Sequence, residues 1–329
     1  MSRLAPVLQA FFTDKLARQR QASPHTIAAY RDTFKLLLDF AYKTTGTHPA
    51  QLDIADLDAP LIGAFLTHLE TERGNAVSTR NARLAAVHSL FHYAALHTPE
   101  HAALIARVLA IQPKRCDRAI VSWLTAEEVN ALLAAPDRTC WTGRRDHALL
   151  VLACQTGLRV SELSGLKGQD VHLRSGAHVR CHGKGRKDRA TPLTTQTVAI
   201  LRVWLAERGG GPDDPLFPTR AGSPLGRDAI AWLVAKHATR AARACPSIAA
   251  KKVTPHTLRH TAAMSLLHVG VDTSVIALWL GHESPETTQI YLHADMAIKE
   301  RALARVTPPN TTPGRYRPPD TLLAFLDSL

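Results

Sequence analysis

The chain of 329 residues is long enough to form two domains, each with its own hydrophobic core. Hydrophobic residues make up 45% of it and charged residues 21%, a balance that excludes an intrinsically disordered protein. The 40 Lys and Arg residues outnumber the 28 Asp and Glu residues, and the resulting formal charge of +12 suits a polyanionic partner. A soluble basic protein without a nucleic-acid role would show the same balance, so the charge alone does not decide.

The five cysteines are scattered and never occur in C-x-x-C spacing, which argues against a disulfide framework or a structural zinc site. No amino-terminal stretch resembles a signal peptide, and no apolar run is long enough to span a bilayer. The sequence therefore predicts a cytoplasmic protein without a membrane partner.

Residues 1–110 predict a helical domain. Ser23 is placed to cap a long amphipathic helix, and Pro24 occupies its first position, where the missing N–H costs nothing. Apolar residues at helical spacing predict a third helix over residues 59–71 and a fourth that opens at Ser78.

Polar and basic side chains lie on two of these amphipathic helices, as expected if one face lies against a phosphate backbone. An ordinary solvated face explains the same residues equally well. The candidate DNA-binding residues of this domain are His25, Arg31, Arg80, Asn81 and Arg83.

Residues 111–122 interrupt the helical pattern with a proline and a basic cluster, and we interpret them as an interdomain linker. Lys114 and Arg115 in this segment are further candidates for DNA contact. Thr125 and Glu128 then form the pattern of a capping box, which predicts the first helix of a second domain.

An arginine stands at a predicted helix junction in this second domain. The apolar residues 146–155 predict a buried helix, Gly157 ends it, and Arg159 follows just before the next helix. A side chain at such a junction points into a cleft, where it needs an anion. That anion is a substrate phosphate or, alternatively, the nearby carboxylate of Glu162.

Alternating residues around 178–181 and 189–193 predict a β-hairpin whose tip carries Lys184. The tip is not the phosphate loop of an NTPase, because the upstream glycine is missing and no helix follows at once. Lys187 competes with Lys184 for a role at the tip, and Lys187 and Arg189 are candidates for DNA contact.

The stretch from residue 254 to residue 291 concentrates the reactive side chains. His256 and Arg259 are three residues apart and share one helix face, and Gly281 ends a later helix directly before His282. Tyr291 follows nine residues further on. Together they supply a nucleophile, groups for proton transfer and a cation for a phosphate. His260 lies beside this set, and we leave it out of the catalytic prediction.

The patterns T-G-L-R-x-x-E-L, G-K-G-x-K and H-x-x-R-H, then L-G-H and a tyrosine nine residues later, resemble the tyrosine recombinases, the phage integrase and Xer-type family. The resemblance covers roughly residues 125–300, and the early helices are similar to that family's core-binding domain. It implies a mainly α fold with a small β-sheet in the catalytic domain (α+β), built as a two-domain clamp on DNA. The helical, SAM-like core-binding domain would be residues 1–110 and the catalytic domain residues 123–306.

The resemblance also implies the chemistry: cleavage and rejoining of DNA through a 3′-phosphotyrosyl intermediate with a free 5′ hydroxyl, without metal, ATP or any other cofactor. The implied catalytic residues are Arg159, Lys184, His256, Arg259, His282 and the nucleophile Tyr291. The sequence does not distinguish integration, movement of a mobile element and resolution of chromosome or plasmid dimers.

Two other interpretations are a type IB topoisomerase-like enzyme that relaxes DNA and a DNA-binding protein that has lost catalysis. The separate helical domain argues against the first, and the complete set of six residues argues against the second. The expected partners are double-stranded DNA at a specific site and further copies of the chain, as a tetramer on paired sites; accessory proteins are left open. Residues 307–329 form a proline-rich, then amphipathic, tail that is a candidate for exchange between protomers.

Overall fold

The computed structural model describes residues 3–116, 121–182 and 188–281. The chain divides into two compact units, Met1–Arg118 and Ala119–Leu329, and the boundary falls inside the segment interpreted as a linker. Each unit encloses its own hydrophobic core. None of the helices in the described part of the chain is long and apolar enough to cross a membrane.

The amino-terminal unit is helical throughout its regular elements. Ser23 caps its longest helix as predicted, because the hydroxyl accepts a hydrogen bond from the backbone N–H of Thr26 at 3.1 Å. A π-helix, which sequence periodicity does not predict, continues the first helix over Phe11–Gln19. The helices are α1 Leu4–Ala10, α2 Pro24–Thr45, α3 Ala59–Thr71, α4 Val77–Ala95 and α5 Ala102–Leu109, with short 3₁₀ turns at Ile54–Asp56 and Pro99–His101.

The core of this unit is formed by the apolar stripes of those helices. Phe11, Leu37 and Phe65 are completely buried, and each comes from a different helix. Aromatic rings meet edge to face at the centre, since Phe11 and Phe34 have centroids 6.0 Å apart. The amphipathic spacing visible in the sequence therefore faces inward.

The second unit surrounds one long buried helix. Thr125 and Glu128 form the predicted capping box at the start of α6, with the Thr125 N–H donating to the Glu128 carboxylate at 2.8 Å. The helices are α6 Ala126–Ala134, α7 Trp141–Thr156, α8 Val160–Gly165, α9 Thr195–Arg208, α10 Arg227–Ala241, α11 Pro255–His268 and α12 Thr273–Leu280, with 3₁₀ turns at Gly168–Asp170 and Pro246–Ala250.

A small antiparallel sheet precedes α9. Strands β1 Val171–His172, β2 His178–His182 and β3 Asp188–Pro192 lie in the order β1-β2-β3. The β2–β3 pair is the predicted hairpin, with Arg180 opposite Ala190 and Cys181 opposite Arg189. The two-residue strand β1 was not predicted, since two residues are too short to show alternation.

Helix α11 packs against α7 and against α12. This packing brings the carboxyl end of α7 next to the carboxyl end of α12. Gly157, which ends α7 in the left-handed region (φ 64°), lies so close to Leu280 that a Cβ added there would be 2.7 Å from the Leu280 Cδ2 atom. Two helix ends and one face of α11 thus meet at a single point.

Candidate active site

Arg159 stands at the junction between α7 and α8, as predicted. Its backbone N–H donates to Glu162 Oε2 at 2.7 Å, and its guanidinium donates to Glu162 Oε1 at 3.0 Å and to the Gly281 carbonyl at 2.7 Å. The side chain remains 30% exposed. Because a guanidinium has five N–H donors, these two bonds leave donors for a ligand.

Arg259 lies on α11 and is only 3% exposed. Its guanidinium donates to the Gly157 carbonyl at 2.8 Å and to the Leu280 carbonyl at 2.8 Å. Both acceptors are carbonyls at helix ends, where intrahelical partners are missing and the helix dipole is negative. Arg259 therefore ties together the carboxyl ends of α7 and α12 and holds its positive charge beside Arg159.

The start of α11 explains why His256 and Arg259 share a face. Thr254 caps the helix, accepting a hydrogen bond from the Thr257 N–H at 3.2 Å, and Pro255 occupies the first turn. His256 and Arg259 then follow one turn apart. The cap fixes the residue at which α11 begins, and hence which of its side chains lie on the same face as Arg259.

The pKa of His256 lies below its ordinary value. Nearby protein atoms displace water from part of the ring and lower the pKa, and the positive charges of Arg259 and Arg159 lower it further. Because the His256 side chain is still exposed overall, loss of hydration can lower its pKa only modestly, and we give more weight to the charges of the two arginines. At neutral pH His256 is therefore uncharged and able to accept a proton.

His260 packs against His256 with ring centroids 4.2 Å apart. Burial, then His256 and Arg259, lower the pKa of His260 to about 4. The ring is thus neutral at physiological pH and adds no positive charge beside His256. This is a role that the sequence alone did not assign.

The lowered pKa of His260 predicts an acid-sensitive stability. Between about pH 6.5 and about pH 4 the unfolded chain holds a proton on this histidine that the folded chain does not. Stability should therefore fall with decreasing pH, by up to about 1.4 kcal/mol per pH unit. We expect His260→Gln to have a shallower loss between pH 7.5 and pH 5 in denaturant unfolding. Equal slopes for the two proteins would contradict this prediction.

Gly281 ends α12 in the left-handed region (φ 66°), as its position in the sequence predicted. Its carbonyl accepts the hydrogen bond from Arg159, so the turn is fixed against the arginine pair. His282 is the next residue in the chain. His282 itself, Lys184, Lys187 and Tyr291 lie outside the described residues, and their catalytic or DNA-binding roles stay predictions.

Arg189 has a different surrounding from the one predicted. It was a candidate for DNA contact, but its side chain is only 11% exposed and makes a two-pronged pair with Glu162, at 2.8 and 2.7 Å. The sequence offered Glu162 only as an alternative partner of Arg159. In the structure, its carboxylate accepts hydrogen bonds from both Arg159 and Arg189. The signal for the first pair was the three-residue spacing within T-G-L-R-x-x-E-L, but nothing local connected Glu162 to Arg189.

The basic residues of the amino-terminal unit fall into two groups. His25 and Arg31 are exposed, although Arg31 pairs with the adjacent Asp32 at 2.9 Å. Arg80, by contrast, is only 7% exposed, which corrects the surface position predicted for it. Its guanidinium donates to the Asn81 side chain at 3.0 Å and to the Gln112 carbonyl at 3.3 Å.

Asn81 binds the beginning of the predicted linker. Its amide donates to the Lys114 carbonyl at 2.7 Å and accepts from the Lys114 N–H at 3.0 Å, much as a neighbouring β-strand would. The Lys114 ammonium meanwhile reaches Glu70 at 2.7 Å, while Arg115 is exposed. Arg80 and Asn81 therefore hold the start of the linker against α4.

Arg83, the remaining candidate of this unit, is half-buried. Burial, and then the charge of Arg73, lower its pKa, while Asp32 acts in the opposite direction. One terminal nitrogen of Arg83 is buried without a hydrogen-bond partner in the described part of the chain. The DNA contact of Arg83 stays a prediction.

Comparison with known proteins agrees with this geometry. The profile of the Phage integrase family matches residues 122–297, and that of the phage integrase N-terminal SAM-like domain matches residues 10–97. The chain belongs to the phage integrase family of tyrosine recombinases. The mainly helical fold with a small sheet, predicted from sequence, is confirmed.

Individual relatives are similar over nearly the whole chain. A protein of Sinorhizobium fredii (strain NBRC 101917 / NGR234) named integrase/recombinase y4rC is 54% identical over 99% of this chain and 98% of its own. Tyrosine recombinase XerC of Pelobacter propionicus is 33% identical over 91% and 94%. A crystal structure of XerH recombinase bound to palindromic difH substrate, a post-cleavage complex, shares the fold: TM-score 0.70, 24% identity, 87% of this chain and 81% of that one. This tyrosine recombinase is thus a site-specific DNA recombinase by family.

Proposed function

We propose that this tyrosine recombinase cleaves and rejoins double-stranded DNA at a specific site through a covalent bond between Tyr291 and a 3′ phosphate. The convergence of Arg159 and Arg259 carries the proposal. These two guanidiniums come from segments a hundred residues apart and meet at the turn that leads to His282. Six residues act together: Arg159, Lys184, His256, Arg259, His282 and Tyr291.

The two arginines bind the scissile phosphate. Each guanidinium is always charged and presents a planar fork of N–H donors that fits the non-bridging oxygens. Both are held in place by helix-end carbonyls, so little reorganisation is needed when charge develops in the transition state. One such donor is typically worth roughly 3 kcal/mol of barrier. His282 adds a hydrogen bond to the same phosphate.

The remaining residues move protons. The Tyr291 oxygen attacks phosphorus and loses its proton to His256, whose lowered pKa keeps it neutral and ready to accept. The bond from phosphorus to the 5′ oxygen breaks, and Lys184 donates a proton to that oxygen. The products are a 3′-phosphotyrosyl link and a 5′ hydroxyl.

The second half of the reaction reverses the first with a different strand. The phosphotyrosyl link remains a phosphodiester, so the bond energy is conserved. A 5′ hydroxyl from the partner duplex attacks it, Tyr291 leaves and regains its proton, and the strands are exchanged. Neither ATP nor a metal is required, because the side chains supply the positive charge.

Affinity for DNA comes mainly from positive charge. The net charge of +12 supports phosphate binding, and among the predicted contacts His25, Arg31 and Arg115 are exposed while Arg83 has an unsatisfied donor. Lys187 is placed with them from sequence. All five cysteines are free, which together with a DNA substrate favours the cytoplasm as the place of action.

A nicked duplex tests the proposal. Cleavage next to the nick releases a short strand, so the covalent intermediate cannot be resealed and accumulates. On DNA that carries its site, the protein should form an SDS-resistant adduct in EDTA and leave a free 5′ hydroxyl. Loss of the adduct in EDTA would contradict metal-independent cleavage. Relaxation of single plasmids without strand exchange would favour the topoisomerase-like alternative.

Assembly on paired sites is the second part of the proposal: four copies act together, and residues 321–329 of one copy dock on the next. An apolar groove of about 390 Å³ on the catalytic unit suits this segment. Trp279 and Gln155 line this groove, and Trp279 Nε1 and Gln155 Oε1 are buried without hydrogen-bond partners in the described residues. The apolar lining includes Val129, Leu133, Val151 and Leu266.

Deleting the residues after Pro308 should therefore weaken pairing of two sites while leaving single-site binding intact. Filling the groove with Ser265→Trp, at an exposed position on α11, should have the same effect. Gel shifts with one and two sites, at equal protein concentration, measure both quantities. Unchanged pairing after the deletion would end the docking proposal without affecting the cleavage proposal.

A further inference from the structure

The side chain of Arg189 is nearly buried, and three of its nitrogens donate hydrogen bonds within the protein. Arg189 is the second residue of β3, its guanidinium pairs two-pronged with Glu162, and its Nε donates to the Trp279 carbonyl at 3.2 Å. The paired side chains are only 11% and 4% exposed. Such a fork is specific to arginine, because lysine offers a single charged nitrogen in place of a plane.

Glu162 is the shared acceptor of two arginines. Its Oε1 accepts from Arg159 at 3.0 Å and from Arg189 at 2.8 Å, and its Oε2 accepts from Arg189 and from the Arg159 backbone at 2.7 Å each. Burial acts to raise the pKa of Glu162, but the bonds and charges of Arg189 and then Arg159 outweigh it, and the pKa lies below its ordinary value. The carboxylate is therefore ionised and saturated with donors.

Arg189 also contacts the turn before His282. A Cβ added to Gly281 would lie 2.7 Å from Arg189 NH1, so the guanidinium packs directly on that glycine. Gly281 in turn accepts the second bond from Arg159. The Arg189 side chain thus links strand β3 to the carboxylate that orients Arg159 and to the backbone of residues 279–281.

We propose that Arg189 is a positioning residue of the recombinase, which fixes Arg159 through Glu162 and fixes the turn at Gly281 by direct contact. The inference rests on the proposed catalytic role of Arg159. It replaces the DNA-contact role that the sequence suggested for Arg189. Because Arg189 lies on β3, the second strand of the hairpin that contains Lys184, the same contacts anchor that strand.

Measurements of DNA affinity and of cleavage rate distinguish a positioning role of Arg189 from a DNA-contact role. A positioning role predicts that Arg189→Ala forms the nicked-substrate adduct roughly 10- to 100-fold more slowly, while affinity and its salt dependence stay unchanged. Arg189→Lys should restore little, because charge without the fork cannot hold both Glu162 oxygens. Arg180→Ala, on the exposed face of the neighbouring strand, is the matched control. Weakened binding with a shallower salt dependence, at an unchanged cleavage rate once bound, would overturn the inference.

A neutral substrate distinguishes positioning from general loss of structure. A methylphosphonate at the scissile position lacks the negative charge that Arg159 stabilises. If Arg189 acts through Arg159, the defects of Arg189→Ala and Arg159→Ala should both shrink on this substrate. An Arg189→Ala defect equally large on both substrates would overturn the inference.

Hydrogen exchange tests the same contacts without relying on catalysis. The Arg159 N–H is protected by Glu162, so Arg189→Ala should accelerate exchange in peptides covering residues 157–163 and 276–281. Arg180→Ala should not. Unchanged exchange in both peptides would show that Arg189 does not hold them, even if the proposed cleavage reaction were itself refuted.

Discussion

Replacing Tyr291 by phenylalanine should abolish the covalent adduct on a nicked substrate while leaving DNA affinity unchanged. Phenylalanine preserves the ring and removes only the oxygen that would attack phosphorus. The effect should be total within the sensitivity of the gel, because no other group among the proposed six supplies a phenol. The measurement is adduct formation over time, with binding checked by gel shift.

The chain contains a suitable control for this substitution. Of its five tyrosines, Tyr30, Tyr42 and Tyr93 lie in the amino-terminal unit, and Tyr316 lies in the tail. Tyr316→Phe removes the same atom from the other tyrosine beyond residue 281 and should keep the wild-type rate. An adduct that survives Tyr291→Phe but disappears in Tyr316→Phe would move the nucleophile to the tail.

Gly157→Ala should reduce the free energy of unfolding by about 2–4 kcal/mol. The residue has φ 64°, which costs an L-residue roughly 1–2 kcal/mol, and its new Cβ would be 2.7 Å from Leu280 Cδ2 and 3.1 Å from Ala262 Cβ. Because the Gly157 carbonyl binds Arg259, cleavage should slow as well. Thermal or denaturant unfolding of the full chain measures the first effect.

Gly176 separates backbone strain from crowding. It has φ 70°, close to that of Gly157, but a Cβ there would have no atom within 4 Å. Gly176→Ala should therefore cost only the backbone term, roughly 1–2 kcal/mol. Equal losses for the two variants would mean that α7 and α12 can move apart, and that the Arg259 contacts do not fix the site as argued.

Local signals in the sequence predicted the helices well. The caps at Ser23 and Thr125 act over three residues, and each forms the hydrogen bond that the pattern implied. Gly157 and Gly281 end their helices in the left-handed region for the same local reason. The position of Arg159 between two helices could be predicted because the end of α7 and the start of α8 both lie within a few residues of it.

Contacts between segments that are distant along the chain could not be predicted from the sequence. The Arg189–Glu162 pair joins residues 27 apart, and the Arg80 bond to the Gln112 carbonyl joins residues 32 apart. A basic residue on an amphipathic helix looks alike whether it faces DNA or a neighbouring loop, so the surface position predicted for Arg80 was wrong. The DNA contact predicted for Asn81 stays a prediction. The π-helix after α1 likewise depends on packing, since its apolar residues also fit an α-helix.

For the candidate site, the motif supplied residue identities and the fold supplied their arrangement. The sequence offered Glu162 and a substrate phosphate as competing partners of Arg159. The structure removes the competition, because the Glu162 carboxylate uses one guanidinium nitrogen and the backbone N–H while the side chain stays partly exposed. The Glu162 carboxylate thus orients Arg159, for which we propose phosphate binding.

Chemical mapping of the covalent adduct identifies the nucleophile and the polarity of the protein–DNA bond. After wild-type protein has been trapped on a nicked substrate in EDTA, nuclease and trypsin digestion should leave a nucleotide on one peptide. We expect this peptide to be His260–Lys299, with the phosphate on Tyr291, and the released DNA strand to carry a 5′ hydroxyl. Attachment to Tyr316 or any other residue, or a 5′-phosphoryl linkage, would contradict it.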